Sequence, residues 1–124
     1  MIDYRLIAPS KVFEMKAFEY IQEFLKYNSE INGARGLRYT KHTRRRGHIG
    51  YSIRPTERKK GYGTLMLRVA LEKCRELNLS TVLITCDGLN VESAKVIQNN
   101  NGILENEVFS ETFSEIIQRY WINL

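Results

Sequence analysis

The sequence predicts an α/β fold of the α+β kind, and three observations carry that expectation. His48-Ile49-Gly50-Tyr51-Ser52-Ile53 alternates, with Ile49, Tyr51 and Ile53 on one face, and Pro55 stops the run, so it reads as a strand. Thr64 to Leu77 sets Leu65, Leu67, Val69, Ala70, Leu71, Cys74 and Leu77 between charged positions, an amphipathic helix of about four turns. Thr81 to Cys86 is β-rich and almost continuously apolar, as a strand covered on both faces would be. Together the three make a β-α-β unit. At 124 residues and 43% hydrophobic, the chain has enough apolar material for one domain, 1–124, around a single moderate core. No repeat, linker or low-complexity tract marks a second module.

The remaining elements are read in chain order. Asp3 to Ile7 reads as a short first strand closed by Ala8-Pro9-Ser10, with Ser10 placed to cap a helix. Phe13, Ala17, Tyr20, Ile21, Phe24 and Leu25 recur at three- and four-residue spacing, so a helix is expected to end near Tyr27 or Asn28. From Ser29 to Gly47 the pattern breaks at Gly33 and Gly36, which predicts a loop with at most one short strand. After the apolar strand, Asp87-Gly88 makes a turn, Leu89 is a spacer, Asn90 is the expected cap, and Val91 to Gln98 is a short helix. Asn99-Asn100-Asn101-Gly102 ends that helix. Ile103 to Phe109 and Ile116 to Ile122 read as two strands of a hairpin joined by a polar turn.

Composition excludes several function classes. No apolar run approaches the roughly 20 residues that cross a bilayer, and the N-terminus lacks the pattern of a secretory signal, so the expected location is cytoplasmic, without a membrane partner. Cys74 and Cys86 form neither a metal-ligand cluster nor a disulfide framework; both read as reduced, buried thiols, and no metal is expected. The net charge of +5 is uneven: ten Lys or Arg lie between Arg35 and Lys60 against Glu57 alone. That patch fits a solvated face, an anionic small molecule or a nucleic acid.

The stretch Arg58-Lys59-Lys60-Gly61-Tyr62-Gly63-Thr64 narrows the choice. It lies between a strand pattern and a helix pattern and combines two glycines, three cations and a new helix N-terminus, a combination suited to phosphate. A nucleotide-triphosphate loop would need Gly-Lys-Ser/Thr after its glycine frame, whereas Lys60 here precedes Gly61 and Tyr62 comes after it. The dinucleotide fingerprint would need a third glycine where Met66 stands.

Arg58, Gly61 and Gly63 do fill the Arg/Gln-x-x-Gly-x-Gly/Ala pattern, and the chain resembles the GNAT N-acetyltransferase superfamily over about residues 47–124. The flanking residues that carry the resemblance are Gly47 to Pro55, Val82 to Cys86, Asn90 with Ser93 and Ala94, and Arg119 to Ile122. It implies a mixed, mostly antiparallel sheet flanked by helices, with acetyl-CoA as co-substrate and an amine as acceptor. Pantetheine would pair along the strand that ends near Ile53 and Arg54, and the diphosphate would lie over Lys59, Lys60, Gly61, Tyr62, Gly63 and Thr64 beside Arg58. Arg58 is otherwise a surface cation, and Lys59 and Lys60 are otherwise solvated. Asn90 matches a cofactor-contacting position while also capping a helix. Tyr62 either shields the cradle or packs on its helix.

Acetyl transfer needs a neutral amine, donors to the thioester oxygen and a proton source for the thiolate. The resemblance implies a backbone amide near Ile53 for the oxygen. No carboxylate occurs between Gly47 and Ile53, and His48 is the candidate base there, though a lone His on a strand also serves structure. Ile97 occupies the place where the family often carries an acidic Tyr, leaving Tyr120 or Tyr51 as substitutes. Family members also carry more elements than residues 29–46 provide, so the sheet is expected to be trimmed and a homodimer could complete it. An alternative register makes Phe18 to Tyr27 and Ile31 to Tyr39 a hairpin at the expense of the first helix; the helical stripe favours the helix. Besides an N-acetyltransferase working by direct transfer, two other functions fit: a CoA-binding module without catalysis, and, ranked last, a basic nucleic-acid-binding protein.

Overall fold

The computed structural model describes residues 7–8, 10–27, 49–111 and 114–124. A 3-10 turn at Lys11–Phe13 runs into α1 (Glu14–Lys26), and a second 3-10 turn at Pro55–Glu57 precedes α2 (Tyr62–Glu76). Next come β1 (Thr81–Asp87), α3 (Val91–Asn99), β2 (Ile103–Ser110) and β3 (Glu115–Asn123). The three strands form an antiparallel sheet in the order β1-β3-β2. Tyr120 of β3 therefore stands between Ile84 of β1 and Leu104 of β2.

Periodicity explains which side of the sheet is covered. Val82, Ile84 and Cys86 alternate onto one face of β1, as Tyr120 and Ile122 do on β3, and they join Leu67, Leu71 and Cys74 of α2 and Ile97 of α3 in one buried cluster. Burying each of the larger aliphatic side chains contributes about 1.5–3 kcal/mol. Leu83, on the opposite face of β1, is only 7% exposed, so both faces of this strand are withdrawn from water and its apolar run has no polar alternation. Both cysteines are free and buried.

Local chemistry sets the helix ends. At the end of α2, Asn78 takes a left-handed φ of +63°, and Leu79 N–H reaches back to the Cys74 carbonyl at 3.1 Å. Asn90 caps α3, its Oδ1 accepting from Ser93 N–H at 3.1 Å. The α3 exit uses Asn101 at φ +65°, and Gly102 N–H donates to the Ile97 carbonyl at 2.9 Å. Ser10 does stand at the start of a helical turn, but its side chain makes no capping hydrogen bond.

One expectation changes. Residues 49–54 join no ladder among the described residues, although Ile49 and Tyr51 pack on the core as the alternation implies. Side chains take two of the segment's carbonyls: Tyr20 OH donates to Ser52 O and Arg58 Nε to Ile53 O, each at 3.1 Å. The sheet ladders among the described residues are all antiparallel, in keeping with the mostly antiparallel sheet expected. The hairpin register for residues 18–27 does not hold, since 18–26 lie within α1 and Tyr27 closes it. The first strand over residues 3–6, the loop at 29–47 and His48 fall outside the described residues. No helix among the described residues is long and apolar enough to cross a membrane.

Gly102 gives a direct test of the α3–β2 junction. A Cβ there would lie 2.4 Å from Ile97 Cγ2 and 2.8 Å from Ile97 O. Gly102→Ala is expected to cost about 1–3 kcal/mol in chemical denaturation, the usual range for overpacking.

Candidate functional site

The predicted cradle is a continuous turn from Ser52 to Thr64, and its entry is held from outside. Arg54 flanks the 3-10 turn without capping it, and Pro55 has no N–H, so the Thr56 amide is the turn's first orphan donor. It donates 2.9 Å to Oε1 of Glu23, 33 residues away on α1. The same carboxylate accepts from the Thr56 hydroxyl and pairs with Arg54 Nε. The Thr56 hydroxyl chiefly, with Arg54 and the Thr56 amide, holds the Glu23 carboxyl down at about 2 despite partial desolvation.

Beyond this grip the backbone turns sharply into α2. Lys59 and Gly61 both adopt left-handed φ, +61° and +82°. The two motif glycines answer different demands. At Gly61 there is open space where a Cβ would be, and the positive φ is what calls for glycine. At Gly63 a Cβ would sit 3.0 Å from Val96 Cγ2, so glycine eases the close approach of α3. The buried Asn100 side chain seals that approach, donating to Thr64 O at 3.1 Å and Val96 O at 3.0 Å, while Asn99 Nδ2 donates to Thr64 Oγ1 at 3.4 Å.

The result is a helix N-terminus of the kind that can accept an anion. The first intrahelical bond is Leu65 N–H to Gly61 O at 3.2 Å, so the amides of Tyr62, Gly63 and Thr64 have no intrahelical acceptor. Gly61 offers no capping side chain, and the first turn carries no acidic residue. Arg58, Lys59 and Lys60 are exposed beside it. Lys60 Nζ pairs with Glu57 at 2.9 Å, and the Arg58 guanidinium carbon lies 5.5 Å from the centre of the Phe24 ring. Ile53, Arg54, Arg58, Lys59, Lys60 and Gly61 thus lie along one loop that runs directly into Tyr62, Gly63 and Thr64, the first turn of α2. Asn90 stands apart at the other end of α3, roughly 13 Å from Asn99 by helical rise.

A second polar group lies inside the core. The Tyr51 hydroxyl is sealed from solvent and has no hydrogen-bond partner among the described residues, with Ser93 and Cys86 as polar neighbours. Tyr120 OH, by contrast, donates to Gln118 Oε1 at 3.0 Å. Burial, with Asp87 adding to it, pushes the Cys86 thiol up to about 11. Burial also raises both tyrosine hydroxyls. Among the described residues no group of His, Cys, Asp or Glu is arranged to hold a metal. Sequence reasoning misses Glu23, because it assigns α1 only an apolar stripe. The one available signal is the position of Glu23 between Tyr20 and Phe24 on the same helical face.

The profile of the acetyltransferase (GNAT) domain matches residues 10–102. The chain therefore belongs to the GNAT acetyltransferase family, and an acetyltransferase-type function goes with that membership; the family generally uses acetyl-CoA. The match reaches back across α1 to residue 10, further than the resemblance over 47–124, and ends at Gly102 before the β2–β3 hairpin. No curated protein and no solved structure matches the chain significantly.

The depressed Glu23 carboxyl has a stability consequence. A carboxyl lowered from 4.5 to about 2 on folding stabilises the fold above about pH 4.5 and loses that contribution as pH falls through about 2. The stability difference between wild type and Glu23→Gln, tracked by urea denaturation at several pH values, is expected to be constant above pH 5 and to shrink steadily below 4.5.

Proposed function

We propose that the protein transfers an acetyl group from acetyl-CoA directly to an amine, with the CoA diphosphate on the N-terminus of α2. The observation that carries this reading is the left-handed turn at Lys59 and Gly61, which delivers three uncapped amides beside Arg58, Lys59 and Lys60. A diphosphate there gains several amide hydrogen bonds and charge-assisted contacts, each roughly twice as strong as a neutral one. Arg58 would exchange its bond to the Ile53 carbonyl for a phosphate oxygen, freeing that carbonyl for the pantetheine amides.

In the reaction the neutral amine attacks the thioester carbonyl carbon, forming C–N as C–S breaks. The amine's proton leaves to a base, for which His48 is the candidate, and the departing thiolate takes a proton. Tyr51 is the better candidate donor of the two tyrosines, because Tyr120 is already committed to Gln118 while the Tyr51 hydroxyl has no partner among the described residues. A buried thiol raised to about 11 is almost wholly protonated near neutral pH, which supports direct transfer over an acyl-cysteine relay through Cys86.

The second reading, CoA binding without transfer, draws support from Ile97, which is fully buried in the core at the position where an acidic Tyr would stand. Turnover against a broad amine panel separates the two: CoA binding with no acetylated product favours the binding module. Arg58→Glu is expected to weaken CoA binding roughly 10- to 100-fold in calorimetry, the range for losing a charged hydrogen bond; unchanged affinity would remove the loop from the site. Tyr51→Phe is expected to lower kcat while Tyr120→Phe and Cys86→Ser retain most of it, and equal losses in Tyr51→Phe and Tyr120→Phe would remove Tyr51 as donor.

A further inference from the structure

We propose that Glu23 is a positioning residue of the donor site: from α1 it holds the Arg54–Thr56 turn so that the next residues present the α2 amides and cations in binding geometry. This inference rests on the donor reading above, but its physical basis is independent of any ligand.

The 3-10 turn at Pro55–Glu57 closes through Glu57 N–H to Arg54 O at 2.9 Å, but the donors at its entry are met from outside. Its flanking residue supplies no capping side chain, its first residue has no N–H, and the amide and hydroxyl of Thr56 both turn to Glu23. Arg54, on the other side of Pro55, donates to the second oxygen of the same carboxylate. One side chain thus satisfies three donors on either side of the proline, and its own surface is only 9% exposed. Tyr20 and Phe24, three residues before and one after on α1, touch the same loop at Ser52 O and at the Arg58 guanidinium. The helix face therefore meets the loop at three successive places: 52, 54–56 and 58.

The next residues of the chain adopt a demanding backbone. Lys59 is a side-chain-bearing residue held in the left-handed region, two residues before Gly61 adopts the same conformation. Such a turn persists when both of its ends are held. The far end is held by Gly63 against Val96 and by Asn100 on Thr64 O. The near end is held by Glu23. Releasing it would let residues 56–61 sample other conformations, and an anion would bind only the fraction in which the amides of 62–64 and the cations still converge. If that fraction falls to about a tenth, the apparent Kd rises about tenfold with no contact to the ligand removed.

The test uses the full chain and two measurements. Amide hydrogen exchange without ligand compares wild type with Glu23→Ala, and calorimetry gives the Kd for CoA. Glu23→Ala is expected to accelerate exchange at residues 56–64 while β1 and β3 keep their protection, and to raise the Kd about tenfold. KM for acetyl-CoA should rise in step while kcat at saturation holds. Thr56→Val added to Glu23→Ala should weaken CoA binding little further, because both remove the same link. Glu23→Gln, which keeps an acceptor for Thr56 but loses the charge, should fall between wild type and Glu23→Ala, and it serves as the variant if Glu23→Ala does not fold. Unchanged exchange at 56–64 would overturn the inference, as would accelerated exchange with an unchanged Kd, or an acceleration shared by the whole sheet. A wild type that binds no CoA would overturn the donor reading and Glu23's part in it together, whereas the exchange comparison decides the grip by itself.

Discussion

The approach of α2 to α3 at Gly63 is the constraint from which the site hangs. Val96 comes so close that a Cβ on residue 63 would have to push it aside, and the buried Asn100 amide ties the Thr64 carbonyl to that of Val96 across the same gap. The N-terminus of α2 is thereby anchored to α3 at the very residues whose amides emerge. A site that must hold several donors in fixed directions gains from being built on such a packed junction rather than on a free loop.

The same economy governs the backbone leading into that helix. Between Ser52 and Thr56 three polar main-chain groups turn to side chains: Ser52 O to Tyr20, Ile53 O to Arg58 and Thr56 N–H to Glu23. A buried or half-buried amide or carbonyl left unpaired is costly, so these side chains do the work that a ladder would otherwise do. Bonds made by side chains can be given up one at a time to a ligand, as a continuous ladder cannot.

Charge is distributed with the same selectivity. Arg54 and Lys60 are paired with Glu23 and Glu57, which restrains the loop's self-repulsion. Within the core the opposite logic holds: desolvation keeps the Cys86 thiol and the Tyr51 and Tyr120 hydroxyls in their neutral forms. The loop gathers cations beside a helix N-terminus, while the core disfavours any anion on its own side chains.

Much of this protein was legible in its linear pattern. The helices α1, α2 and α3, the apolar strand β1, the β2–β3 hairpin and the Asn90 cap all rest on spacing or capping over a few residues, so the amino-acid sequence determined them. The glycines at 61 and 63 were legible as a pair, but not their separate reasons: one comes from a local φ and the other from a helix more than thirty residues further along the chain. Tertiary structure alone decided that residues 49–54 pack without joining a ladder among the described residues, that β3 lies between β1 and β2, and that Glu23 meets Thr56. Each of these depends on which groups compete for the same donors and acceptors across the folded chain, and no local periodicity encodes the outcome of that competition.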